Sequence, residues 1–344
     1  MSVVERTSSP DEGTSSSRIG GHYLLAMAGG LLGALVLFAG VLLTLERTDH
    51  LPPPAFSNSL CVDEKLGFLR SHRLDDPDLL VIGSSVAWRH FDGAAVVEAS
   101  PGTRPLNGAF CGLHANQSAY AAHWLLDREP GIRQVVMIAD PQDFTGCWRV
   151  REAVFDRDDA DRYVYGEASS WPYYLRYFAP VSLVRNALGI QDQRTARNEW
   201  DPLVFDRFGD GPLDTPNSRG LLYGRPEPLD PVCFDALRAL AERLHHQGIG
   251  FTLVSTPLHP DWKARHDPQR QLLDRFDRQL AQSLAGTDAH YWNADRDHGM
   301  PAAAFVDAIH LRWSAARLFS ADLARALRAR EAAMRDDATP PPAS

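Results

Sequence analysis

Leu79-Leu80-Val81-Ile82-Gly83-Ser84-Ser85-Val86 is the stretch from which the fold is read. Four consecutive apolar residues run straight into Gly-Ser-Ser. An unbroken apolar run fits a strand buried on both faces of a parallel sheet, whereas a half-exposed strand would alternate apolar and polar side chains. Three further segments read the same way: Val135-Val136-Met137-Ile138-Ala139, Phe251-Thr252-Leu253-Val254 ahead of Pro257, and the weaker His290-Tyr291-Trp292. Helix-like patterns over 114–128, 231–246, 268–285 and 314–333 separate or follow them. Such alternation predicts right-handed βαβ units and an α/β fold, a mostly parallel, doubly wound sheet in a three-layer α/β/α sandwich. Sheets of this kind bind ligands beyond the carboxyl ends of their strands.

Outside this region the chain is organised by composition. Of its 344 residues 44% are apolar and 23% charged, which suits a globular chain and excludes a wholly disordered one. The net charge of −9 argues against a nucleic-acid partner, which needs a basic face. Residues Tyr23 to Leu45 carry no charge, long enough to span a hydrocarbon core of roughly 30 Å. A cleaved signal peptide has a shorter apolar stretch and a small-residue site, but Glu46-Arg47 follows here. The expected plan is a disordered tail over 1–21, a membrane anchor over 22–45 and a linker over 46–60 stiffened by Pro52-Pro53-Pro54. One α/β domain then covers 61–330, with an insertion at about 145–230 and a loose tail over 331–344. The insertion is rich in Tyr, Trp, Pro and Asp, and reads either as surface covering or as an aromatic platform for sugar rings. The four cysteines, Cys61, Cys111, Cys147 and Cys233, all follow the span. Their even number suits an oxidising compartment, although three pairings are possible and four buried thiols are an alternative.

Two segments could carry chemistry. Ser85 stands where the first strand turns into a helix, and free N–H groups at a helix start favour a developing oxyanion. Asp307-Ala308-Ile309-His310 lies after the last strand-like run. At i and i+3 on a helical turn, the carboxylate would hold the imidazole and leave its other nitrogen to take a serine proton. Both segments are expected on one rim of the sheet. The acidic and histidine residues of 288–298 lack metal-ligand spacing, and no metal or other cofactor is expected.

Taken together, these segments resemble the SGNH (GDSL-like) hydrolases. The family's first block, G-D-S after a strand, corresponds to Gly83-Ser84-Ser85, and its last, D-x-x-H, to Asp307 and His310. The second block, an Asn with a Gly five residues on, corresponds to Asn107 and Gly112. The resemblance implies Ser85 as nucleophile, His310 as base and Asp307 as its orienting acid. The backbone N–H groups of Ser85 and Gly112 would form the oxyanion hole. The third block, G-x-N-D, is represented by Asp140-Pro141-Gln142-Asp143 and departs from the pattern. Its Asn is missing and Pro141 has no N–H to donate. Loss of one oxyanion donor costs about 10²–10³ in rate, so either the Gln142 amide substitutes or the donor substrate is reactive. Ser84 in place of the family Asp resembles the G-S-S variants in membrane-tethered envelope proteins that move acyl groups onto cell-surface polymers. The resemblance covers 79–143 and 250–325. Ser84, Arg89, Asn107 and His259 are further candidates for substrate contact. The resemblance also suggests that Cys111 pairs with Cys147 on the active rim, leaving Cys61 for Cys233.

These expectations amount to an inner-membrane, single-pass serine esterase or O-acyltransferase with an extracytoplasmic catalytic domain. It would act on acyl esters, acetyl above all, of an envelope or extracellular polysaccharide, and a membrane acyl-donor protein is a conceivable partner. The alternatives are a catalytically decayed polysaccharide-binding scaffold of an export system and a metal-dependent phosphatase.

Overall fold

The computed structural model describes residues 16–338 apart from 58, 167–168 and 198–199. The chain divides into two units that part between Leu51 and Pro52. In the first, a helix runs over Ser16–Arg47. Its Gly21–Arg47 portion is long and apolar enough to cross a membrane, with a mean hydropathy of 2.3 over its most apolar window. The tail expected over 1–21 lies outside the described residues as far as residue 15, and 16–21 already belong to the helix.

The second unit is built on five parallel strands, β1 (Leu79–Gly83), β2 (Pro105–Asn107), β3 (Gln134–Ala139), β4 (Gly250–Ser255) and β5 (His290–Asn293). Their order across the sheet is β2-β1-β3-β4-β5. The four apolar runs are strands as expected, and β2 is added. Its three residues are too few to show a period. Alternate side chains of each inner strand enter two separate apolar clusters, so both faces are dry. From β1, Leu80 and Ile82 pack with Trp124, Leu125, Leu240 and Phe276, while Leu79 and Val81 pack with Trp88, Phe319 and Leu323. This double burial is why the runs read as continuously apolar. Parallel sheets bind ligands beyond the carboxyl ends of strands whose neighbours lie on either side, and the Gly-Ser-Ser turn emerges at that end of β1, between β2 and β3.

Several boundaries differ from expectation. The body begins at Pro52 rather than 61, because residues 52–57 pack onto it instead of standing off as a spacer. The Tyr174 hydroxyl donates to the Pro52 carbonyl at 2.7 Å, and Phe56 is buried among Tyr163, Tyr173 and Tyr177. The last helix, Trp313–Ala338, continues through most of the tail expected to be loose, of which 339–344 lie outside the described residues. Within the insertion, Tyr163, Tyr173 and Tyr174 are buried, so these tyrosines cover the body and offer no sugar platform.

The cysteines form two disulfides, Cys61–Cys111 and Cys147–Cys233. This corrects the expected Cys111–Cys147 and Cys61–Cys233 pairs. The cause is the packing of 52–71 onto the body. It brings the start of helix Leu60–Ser71 to the loop after β2, while Cys147 meets the first turn of helix Pro231–His246.

Candidate active site

The site starts from the strain-free choice of glycine at the end of β1. Gly83 has φ +138°, a conformation L side chains rarely adopt, and a Cβ there would lie 2.5 Å from the Ile138 carbonyl oxygen. Only glycine allows β1 to turn this tightly beside β3. Ser84 then caps helix Ser85–His90, its hydroxyl accepting the Val86 N–H at 3.3 Å. Ser85 becomes the first helical residue, and its N–H has no partner one turn back. Its Oγ is 3.0 Å from His310 Nε2.

The Asp307–His310 segment is a side-chain-capped turn closed by a bridge between Phe305 and Leu311, not the helical turn expected. Asp307 Oδ1 accepts the N–H groups of Ile309 at 3.0 Å and His310 at 2.8 Å. The same carboxylate contacts His310 Nδ1 at 3.0 and 3.1 Å. An ionised carboxylate only accepts, so Nδ1 carries the proton and Nε2 is left to accept from Ser85. Burial pushes the Asp307 carboxyl up, but the His310 charge and the hydrogen bonds from His310 and Ile309 outweigh it and hold it at about 2. The three sequence-predicted catalytic candidates, Ser85 standing 222 residues before Asp307 in the chain, therefore form one hydrogen-bonded line.

Three supports were not legible beforehand. His90 is fully buried. Its Nε2 accepts the Leu311 N–H at 2.8 Å and its Nδ1 contacts Thr256 Oγ1 at 2.7 Å. Burial holds His90 well below the usual imidazole range, so it is neutral and braces the residue after His310. Arg219, from the insertion, contacts Asp307 Oδ2 at 3.4 Å with both side chains buried. Tyr223, also from the insertion and 43% exposed, stands edge-on to His310 with ring centroids 5.4 Å apart. The 195–230 stretch has no period, so no sequence signal pointed to Arg219 or Tyr223.

The other candidates divide. Gly112 lies in the loop after β2, exposed and with φ +70°. That loop is held to the end of β1, with Gly108 N–H on the Val81 carbonyl at 2.8 Å and Phe110 N–H on that of Gly83 at 3.3 Å. Gln142 spends one amide N–H on the Gly224 carbonyl at 3.0 Å, so at most the other can reach an oxyanion. Its backbone N–H and that of Asp143 both go to Asp140 Oδ1, at 2.7 and 3.1 Å.

Four expected substrate contacts have structural roles instead. Ser84 is buried as the helix cap, hydrogen-bonded also to the Asp143 carboxyl. Asn107 is fully buried and bridges the Trp88 carbonyl at 3.2 Å to Asp210 Oδ1 at 2.9 Å, underpinning the Ser85 helix. Arg89 lies against the Trp88 ring and pairs with Asp201 at 3.1 Å. His259 caps helix Pro260–His266 through Nδ1 and gives its N–H to the Ala308 carbonyl at 3.1 Å, bracing the acid–imidazole turn. Ser84, Asn107 and His259 each serve a backbone group of a turn or helix end and Arg89 serves an acidic side chain, so the fold itself takes up the polar side chains that sequence alone offers to substrate.

No protein-family model matches this chain, and no curated protein does either.

Proposed function

We propose that this protein is a membrane-tethered serine esterase or O-acyltransferase of the SGNH type, with the doubly wound sheet as the middle of a three-layer sandwich. The observation that carries the reading is the line Ser85 Oγ–His310 Nε2 at 3.0 Å and His310 Nδ1–Asp307 at 3.0 Å. A serine hydroxyl, an imidazole of fixed tautomer and an orienting carboxylate supply a nucleophile and its base.

Ser85 Oγ attacks the acyl carbonyl while His310 Nε2 takes its proton. The Ser85 N–H, with Gly112 N–H as the second donor, meets the developing oxyanion. Collapse expels the alcohol, which recovers the proton from His310, and leaves the acyl group on Ser85. The same imidazole then deprotonates the acceptor, which attacks the acyl-enzyme and frees Ser85. Water as acceptor makes an esterase and a sugar hydroxyl makes a transferase. Exposed Trp200 and Tyr223, the first over the Arg219 guanidinium and the second beside His310, suit a sugar ring at the mouth of the site. Substrates are then acyl esters, acetyl above all, of an envelope polysaccharide. Two disulfides suit an extracytoplasmic body on an inner-membrane anchor.

The test is an active-site-directed fluorophosphonate probe on the full chain. Wild type is expected to label covalently, and Ser85→Ala and His310→Gln to lose labelling while keeping the wild-type thermal transition. Folded wild-type protein that does not label would favour the decayed scaffold, a reading supported by the tethered Gln142 amide.

A further inference from the structure

Residues 170–190 contain no acidic side chain and two arginines, in a chain whose net charge is −9. They also carry five large apolar side chains that are exposed, Leu175 among them at 52%. Phe178 is 58% exposed, Val181 80%, Val184 59% and Leu188 82%. Val181, Val184 and Leu188 are three and four residues apart on and just past helix Pro180–Ala187, which puts them on one face, and Phe178 precedes them by three. The helix buries only Ala187 against the body. Burial on the body therefore does not explain it, and its apolar stripe faces outward.

What covers the stripe follows from where the tether joins. The segment just before the stripe grips the start of the body, through Tyr174 on the Pro52 carbonyl and Phe56 among Tyr173 and Tyr177. Ala55, Ser57 and Leu60 share a cleft with Phe178, Ala179 and Arg185. Pro52 is five residues beyond Arg47, the last residue of the apolar helix, and five residues reach at most about 17 Å. Arg176 pairs with Asp159, which leaves the exposed Arg185 on the helix itself, and a stripe of Phe, Val and Leu beside aromatic side chains and an exposed arginine has the chemistry of a bilayer interface.

We propose that Phe178, Val181, Val184 and Leu188 form a second, interfacial contact with the lipid bilayer, with exposed Arg185 meeting anionic headgroups. The proposal rests on reading Gly21–Arg47 as a retained membrane anchor. Two attachments stop the body from swinging freely on its tether, so that the Ser85 rim keeps one attitude to the membrane.

The test uses the full chain in vesicles of phosphatidylcholine and phosphatidylglycerol, with one added cysteine carrying a nitrobenzoxadiazole fluorophore. The positions are Val184→Cys and Leu188→Cys on the stripe, Gly33→Cys in the apolar helix, and Ala239→Cys on an exposed face elsewhere in the body. Doxyl-labelled lipid is the quencher. A group about 5–10 Å into the headgroup–acyl boundary is reached by it, so the 184, 188 and 33 labels are expected to lose roughly half their emission. The 239 label is expected to keep its emission. Adding Val181→Asp to the Val184→Cys chain is expected to reverse most of the quenching. Quenching at 33 without quenching at 184 and 188 would overturn the interfacial contact and leave the anchor standing. No quenching at 33 would overturn the anchor and the proposal with it. A blue-shifted label at 184 that lipid does not quench would mean that protein covers the stripe, a second copy being the first candidate, and would also overturn it.

Discussion

Gly83 decides whether Ser85 can reach His310, because it alone lets β1 turn beneath the Ile138 carbonyl. A methyl group at this position meets the backbone of β3 and the Ala87 side chain at 2.7 Å, and the positive φ is unfavourable for any L residue. Gly83→Ala is expected to cost more than about 2 kcal/mol in chemical unfolding and to weaken probe labelling at Ser85. A variant with wild-type stability would show that the turn tolerates a Cβ. Other residues at this scale show why polar side chains mislead when read alone. Asn107 and Arg89 each look available for substrate in sequence. The fold surrounds each with backbone carbonyls, N–H groups or charges that need a partner, and an unmet buried polar group costs about 1–3 kcal/mol.

At the scale of elements, the site is assembled by pieces that contribute no atom to the Ser85–His310–Asp307 line. The Cys61–Cys111 bond fastens helix Leu60–Ser71 to the loop bearing Gly112, and Cys147–Cys233 fastens the segment after β3 to helix Pro231–His246. Cross-links closing loops of 50 and 86 residues are each worth about 4 kcal/mol in the chain-entropy account. Non-reducing peptide mapping is expected to recover Cys61 joined to Cys111 and Cys147 joined to Cys233, and thiol reduction to lower the melting temperature. Recovery of a Cys111–Cys147 peptide would contradict the packing of residues 52–71 described above. The apolar runs made β1, β3 and β4 readable, since burial on both faces leaves a continuous signature, while the edge strand β5, exposed or half-buried throughout, left a weaker one. The three-residue β2, the capped turn at Asp307 and the irregular 195–230 stretch carry no period, and only long-range contacts define them.

For the molecule as a whole, buried ionisable groups couple stability to pH. Burial pushes the Asp63 carboxyl up from 3.8 to about 8, against the opposing Ser57 hydrogen bonds and with help from the Glu64 charge. Between about 4 and 8 the folded chain thus holds a proton that the unfolded chain has released, and this group makes stability fall as pH rises through that window. Lys65 has the opposite sign. Burial lowers it from 10.5 to about 7, against the Asp210 and Asp206 charges, so its contribution to stability rises with pH above 7. Asp63→Asn keeps the oxygen that accepts from Ser57 and removes the titration. Its melting temperature is expected to fall less than that of wild type between pH 5 and pH 8, by at least about 2 °C. Parallel curves for the two proteins would refute the assignment.

Composition and periodicity alone determined a charge-free apolar stretch near the amino terminus, a parallel α/β body and a Gly-Ser-Ser turn at the end of a buried strand, because each is a local consequence of neighbouring side chains sharing one apolar run, one core or one tight turn. Ser85 could be nominated with Asp307 and His310 because sheet rims collect strand ends, but their contact required the chain to close a loop of more than 200 residues. The disulfide partners, the Arg219 and His90 supports, and the outward stripe of helix Pro180–Ala187 were decided by tertiary structure. They depend on which distant surfaces become adjacent once the core is dry, and no local pattern encodes that.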